Sequence, residues 1–105
     1  MNSSREGEIL TVKDIKLDLI KHEATKNGQK LDLTLKEFDL LKILLQNKGK
    51  VLSRNFLLDK IWGYEFYGET RTVDVHIRYL RKKIESSDNN EKYIETIRGI
   101  GYKIE

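Results

Sequence analysis

The chain has 105 residues and a formal charge of +3, from 20 lysines and arginines against 17 aspartates and glutamates. That length suits one domain with a single core, and so mild a charge does not by itself identify a polyanionic partner. With no cysteine, disulfides and thiolate metal centres are excluded and a reducing compartment is the natural home; no apolar run approaches the roughly 18–20 residues of a membrane span, and nothing resembles a signal peptide.

Residues 1–7 are polar and read as a linker remnant, so the domain is expected to occupy residues 8–105. Residues 8–13 (EILTVK) and 15–20 (IKLDLI) are short β-branched and apolar runs. Residues 22–26 and 30–33 flank Asn27-Gly28, a strong two-residue hairpin signal. Together they predict an antiparallel sheet of three or four strands.

The period then changes. Thr34-Leu35-Lys36-Glu37 has the form of a capping box. Leu35, Phe38, Leu41 and Leu45 follow at helical spacing, and Leu40, Ile43 and Leu44 carry apolar surface round to the other side. A helix so apolar is predicted to be nearly surrounded and to end at Gly49. Ser53 is placed to cap a second helix carrying Phe56, Leu57 and Ile61, stopped at Gly63. Residues 62–69 (WGYEFYGE) read as a loop, Thr70 as the cap of a third helix, and residues 86–91 (SSDNNE) as a polar turn. The tail, KYIETIRGIGYKIE, predicts a hairpin turning at Gly99-Ile100-Gly101. Three helices followed by a hairpin make a helix-turn-helix with a wing.

The third helix carries the sharpest signal. At about 100° per residue, Val73, Ile77, Leu80 and Ile84 share one stripe. Opposite them lie Arg71, Val75, Arg78 and Lys82, with Thr72 and Tyr79 on one flank, Asp74 and Arg81 on the other, and His76 near the boundary. An ordinary solvated helix intersperses acids at i,i+4; here Asp74 alone does so before Glu85. Uncompensated cations await a polyanion. In a major groove, arginines suit guanine O6 and N7 while an apolar group such as Val75 suits a thymine methyl. Arg98, beside Gly99, is placed to reach a minor groove or phosphate row, or else to pair with Glu95.

Catalysis has no constellation to work with: the two histidines, His22 and His76, stand on different elements without an acid pair or a serine elbow, and they form no metal-ligand spacing. A protein-binding winged helix is the rival reading, but it needs large apolar anchors on its exposed face, where this helix offers arginines. A nucleic-acid surface contacting roughly four to six phosphates predicts a log–log salt slope of about −4 to −5.

WG, then RTVDVHIRYLRKKI, then YIETIRGIGYKI, in that order, give the chain a resemblance, from Ile9 to Ile104, to the DNA-binding effector domain of the OmpR/PhoB family of two-component response regulators. The resemblance implies an α+β winged helix-turn-helix: a four-stranded antiparallel N-terminal sheet, three helices and a C-terminal β-hairpin wing, with the third helix in the major groove and the wing at the minor groove. By position it implies that Arg71, Thr72, Val75, His76, Arg78, Tyr79, Arg81 and Lys82 approach bases or phosphates, that Arg54 and Trp62 contact phosphates, and that Thr96, Arg98 and Tyr102 serve in the wing. Trp62 is equally suited to burial in the core. At Tyr79 the family often has a basic residue; the tyrosine is suited to stack, to reach a phosphate, or to pack on the wing. Asp74 fits the motif and is expected to act in helix electrostatics or an intradomain ion pair. Tyr64, Glu65, Phe66 and Tyr67 fall where the family contacts RNA polymerase, unless these aromatics fold back onto the core. The family also implies a bacterial, cytoplasmic protein without cofactor. A receiver domain is phosphorylated by a sensor kinase, and a mostly monomeric effector domain is paired on tandem half-sites of double-stranded DNA.

Overall fold

The computed structural model describes residues 8–63, 68–85 and 92–105. Its first layer is β1 (Ile9–Val12), β2 (Ile15–Asp18), β3 (Glu23–Lys26) and β4 (Gln29–Lys30), antiparallel and in sequence order. The hairpin signal holds: Lys26 pairs with Gln29, and Asn27 and Gly28 adopt φ of 53° and 81° between them, the left-handed pair that matches strand twist. On β2, Ile15 and Leu17 are buried and Lys16 exposed, so one face of the sheet feeds the core.

α1 (Leu35–Gln46) begins with both halves of the capping box in place: Glu37 N–H donates to Thr34 Oγ1 at 3.2 Å, and Thr34 N–H to Glu37 Oε1 at 2.9 Å. Phe38, Leu40, Leu41, Leu44 and Leu45 are buried as expected. Leu35 is not: it is 62% exposed, at the first helical position, a turn before the packed stretch begins at Phe38. The helix also closes earlier than Gly49, with Asn47 as its C-cap; Gly49, at φ 84°, instead turns the chain so that its N–H donates to Ile104 O at 2.7 Å. Buried Glu37 takes a further partner, Lys83 Nζ at 2.7 Å. The carboxylate that satisfies the start of α1 therefore also ties it to the third helix, and its charge suits a helix N-terminus.

β5 (Leu52–Ser53), two residues long, is too short to show a period in the sequence. It runs into α2 (Arg54–Trp62), capped as predicted by Ser53, whose Oγ accepts from Phe56 N–H at 3.0 Å. Leu57 is fully buried while Phe56 remains partly exposed. α2 ends at Gly63, at φ 95°. α3 (Arg71–Ile84) follows, then β6 (Glu95–Ile97) and β7 (Gly101–Lys103), the expected wing hairpin. β5 joins β7 on the side away from β6, so the wing is the outer part of a three-stranded sheet of order β5-β7-β6. Thr70 differs from expectation: it sits at the helix start with α-helical dihedrals, and its side chain makes no capping bond. Its carbonyl accepts from Val73 N–H instead. The expected polar turn at residues 86–91 and the loop residues 64–67, Tyr64 to Tyr67, lie outside the described residues. The order of elements is that of a winged helix: four-stranded sheet, three helices, C-terminal hairpin.

Candidate nucleic-acid interface

The helical-wheel reading of α3 is reproduced residue by residue. Val73, Ile77, Leu80 and Ile84 are wholly buried, while Arg71, Val75, Arg78, Tyr79 and Lys82 are exposed. Thr72, Asp74, His76 and Arg81 lie between. Arg78 and Lys82 have no acidic partner among the described residues, and Arg71 has only a 3.6 Å approach to Glu69, with both side chains about four-fifths exposed. Such an exposed pair contributes little and yields readily to a stronger anion.

The other cations of this region are engaged inside the domain. Arg81 Nη2 donates to Ile94 O at 2.8 Å and to Thr96 Oγ1 at 2.6 Å, and its guanidinium lies 5.6 Å from the centre of the Tyr102 ring. Arg54 Nε bonds Asp74 Oδ1 at 2.9 Å, and the Tyr102 hydroxyl donates to that same oxygen. One carboxylate on α3 thus gathers α2 and β7, while Arg81 ties down the strand β6. Arg81, Thr96, Tyr102 and Arg54, each expected to face DNA, act in this geometry as the joint between helix and wing. The reason is geometric: β6 and β7 lie along the flank of α3, and the Ile94 carbonyl, the Thr96 hydroxyl and the half-buried Asp74 carboxylate are the acceptors nearest to the two guanidinium groups. The ion-pair role expected of Asp74 is what the structure has.

Burial first, then the hydrogen bond and charge of Asp74, push the Tyr102 phenol above its ordinary range. The sign follows from linkage. A folded-state value above the unfolded one makes the contribution complete below about pH 10, the ordinary tyrosine value, and lost as pH rises through the folded value. Urea unfolding between pH 8 and 11 is therefore expected to show stability falling on the alkaline side, and Tyr102→Phe to flatten that fall. The same substitution is expected to cost about 1 kcal/mol near neutrality, as one hydrogen bond does. An unchanged alkaline limb in the variant would assign the fall to other groups.

His76 Nδ1 lies 2.8 Å from the Thr72 carbonyl, which can only accept, so this nitrogen carries the proton and Nε2 is left for other contacts. The His76 ring stands edge-on to Trp62, centroids 4.9 Å apart, and Lys36 Nζ sits 5.4 Å over the same indole. Trp62 is partly buried and packs on the core, so burial is at least one of its roles.

Arg98 is exposed in the turn joining β6 and β7. Its alternative, a pair with Glu95, is not formed: Glu95 approaches Lys103 at 3.7 Å, and Lys103 also binds Glu105 at 2.7 Å. The exposed candidate residues not taken up by internal bonds are thus Arg71, Val75, Arg78, Tyr79 and Lys82 on α3, plus Arg98 on the wing; Lys83 and Thr96 are exposed too, but Glu37 and Arg81 engage them. Asp74 as a hub and the Glu37–Lys83 pair were missed, since neither partner spacing follows a local period. Among the described residues, no helix is long and apolar enough to cross a membrane, and no group of three side chains could hold a metal ion.

A basic recognition helix latched to a β-hairpin defines a winged-helix module of the DNA-binding class. Residues 28–104 match the family described as transcriptional regulatory protein, C terminal, and the chain belongs to it, as a DNA-binding effector domain of the OmpR/PhoB response-regulator type. It is 48% identical over 104 residues to the alkaline phosphatase synthesis transcriptional regulatory protein PhoP of Bacillus subtilis strain 168, covering 99% of this chain and 43% of that protein. Among solved structures it is similar to the Thermotoga maritima response regulator DrrB, an OmpR/PhoB homologue, with a TM-score of 0.83 and 35% identity over 92% of this chain and 44% of that one. The DNA-binding domain of Klebsiella pneumoniae RstA, solved in complex with the RstA box, gives a TM-score of 0.81 at 28% identity, covering 92% of this chain and 96% of that one. The chain spans less than half the length of the curated relatives it matches.

Proposed function

We propose that the chain binds double-stranded DNA with sequence preference, as the output domain of a phosphorylation-controlled transcriptional regulator. The observation that carries this is the solvent side of α3, where Arg71, Arg78 and Lys82 stand without a strong partner among the described residues. In this reading α3 enters the major groove, with Arg78 on a guanine edge and Arg71, Thr72, His76 and Lys82 on bases or phosphates nearby. Arg98 reaches the adjacent minor groove from the wing. Trp62 supports the phosphate row through its indole N–H. Arg54, Arg81, Thr96 and Tyr102 contribute by holding helix and wing in register.

Pairing of two receivers would set two such domains on tandem half-sites, the gain being effective concentration rather than new contacts. The isolated domain would then be mostly monomeric. A contact of Tyr64, Glu65, Phe66 and Tyr67 with RNA polymerase, a sensor kinase upstream and a place in the bacterial cytoplasm complete the reading; their support is family membership. Selection of bound duplexes from a random pool is the test. A recurrent motif is expected, and Arg78→Ala should relax preference at one base pair and cost about 1–3 kcal/mol. Equal recovery of all duplexes by both proteins would defeat the proposal.

A further inference from the structure

The exposed side of α3 holds two groups that phosphate binding does not need. Val75 is 42% exposed and Tyr79 51% exposed. The other large apolar side chains exposed among the described residues are Ile20, Leu35, Val51, Phe56 and Ile100, and no other helix carries two of them. Val75 and Tyr79 stand four residues apart, so they neighbour one another on one face, with Arg71, Arg78 and Lys82 around them. The Tyr79 hydroxyl has no hydrogen-bond partner among the described residues, and Lys82 Nζ lies 5.9 Å from its ring centroid. Single exposed apolar residues are ordinary. A pair side by side along the edge of a cationic reading face is not, because no described residue covers it.

We infer that Val75 and Tyr79 form a two-point apolar reader of thymine 5-methyl groups, so that the preferred half-site presents thymines about two base-pair steps apart beneath α3. This rests on the DNA-binding reading above and adds the base chemistry to it. In the major groove the thymine methyl is the one apolar feature of the base edges. Four residues of helix advance about 6 Å, close to two steps of about 3.4 Å, so adjacent contacts of this spacing reach alternate rather than successive base pairs. Arg71 and Lys82 are placed to hold the backbone while Arg78 and the apolar pair meet the bases. The phenol ring supplies area without charge, and thus without the guanine preference that an arginine would bring there.

The test uses the 105-residue chain and its selected duplex, with each thymine under α3 replaced singly by deoxyuridine, which lacks only the methyl group. Binding is read by fluorescence anisotropy. Replacement at two positions should weaken binding about three- to five-fold each, as loss of one buried methyl does. Val75→Ala should abolish the response at one position and Tyr79→Ala at the other, while Tyr79→Phe keeps it. Wild-type affinity undiminished by every deoxyuridine, or a selected motif lacking such thymines, overturns the inference while leaving the DNA-binding reading intact. So does a Tyr79→Phe variant as weak as Tyr79→Ala, because that assigns the contact to the hydroxyl rather than to the ring. Failure to bind any duplex would instead remove the reading beneath. Both side chains are exposed, and coincident thermal melts will confirm that the variants fold.

Discussion

Raising the salt concentration from 50 to 200 mM is expected to weaken duplex binding by this chain roughly 100- to 200-fold. The figure comes from counting cations that are available. Arg71, Arg78, Lys82 and Arg98 are exposed and weakly engaged or unengaged. Arg54 and Arg81 already have internal partners at 2.9 Å or less. Four cations set against the charge of B-form DNA, in its grooves or along its backbone, give a log–log slope of about −3.6, a little shallower than the roughly −4 to −5 expected from the sequence. Arg98→Ala should lower the slope by about one unit with little change of sequence preference. Arg81→Ala should leave the slope alone and show itself in stability, since it strips the Ile94 carbonyl and the Thr96 hydroxyl of their donor. Anisotropy titrations at four or five salt concentrations decide this. A slope of −5 or steeper would mean that Arg54 and Arg81 abandon their internal partners for phosphates, and a slope near zero would remove the cationic interface altogether.

Gly101→Ala is expected to be the costliest small substitution in the wing. A Cβ at residue 101 would lie 1.9 Å from Leu52 O, 2.8 Å from Leu52 C and 2.9 Å from Ser53 Cα. These are backbone atoms of β5, so no side chain can swing aside. Relief requires parting β5 from β7, and Ser53 is also the cap of α2. A loss of about 3 kcal/mol is expected, at the upper end of overpacking costs, which lowers the melting temperature by roughly 12–20 °C. Gly99→Ala is the control: it has no neighbour within 4 Å of the added Cβ but sits at φ 76°, so it should cost about 1–2 kcal/mol through its left-handed backbone. Calorimetry of the two variants separates steric from conformational causes. If Gly101→Ala melts with the parent, β5 is not held against the wing.

What the sequence makes legible follows from where periodicity and local chemistry act. The Asn27-Gly28 turn, the Thr34/Glu37 box, the Ser53 cap and the four-residue core stripe of α3 are each written within a few residues, and each stands as expected. Leu35 misleads because helical spacing says which face a residue shares, not how far the packed layer extends. β5 escapes because two residues have no period and Ser53 already reads as a cap. The site divides in the same manner. Exposure of Arg71, Val75, Arg78, Tyr79 and Lys82 is a property of helix phase. The capture of Arg54 by Asp74 spans 20 residues, and that of Arg81 by Thr96 spans 15. Neither is encoded in any local spacing; the tertiary packing of the wing brings the partners together.

The latch on α3 uses Asp74 and Arg81, whereas the outward surface uses positions 71, 75, 78, 79 and 82. The two sets share no residue. An exchange of side chains at the outward positions therefore leaves the architecture untouched, so the module is open to retargeting: new operators become accessible by piecemeal replacement on a frame whose angle to the wing stays constant.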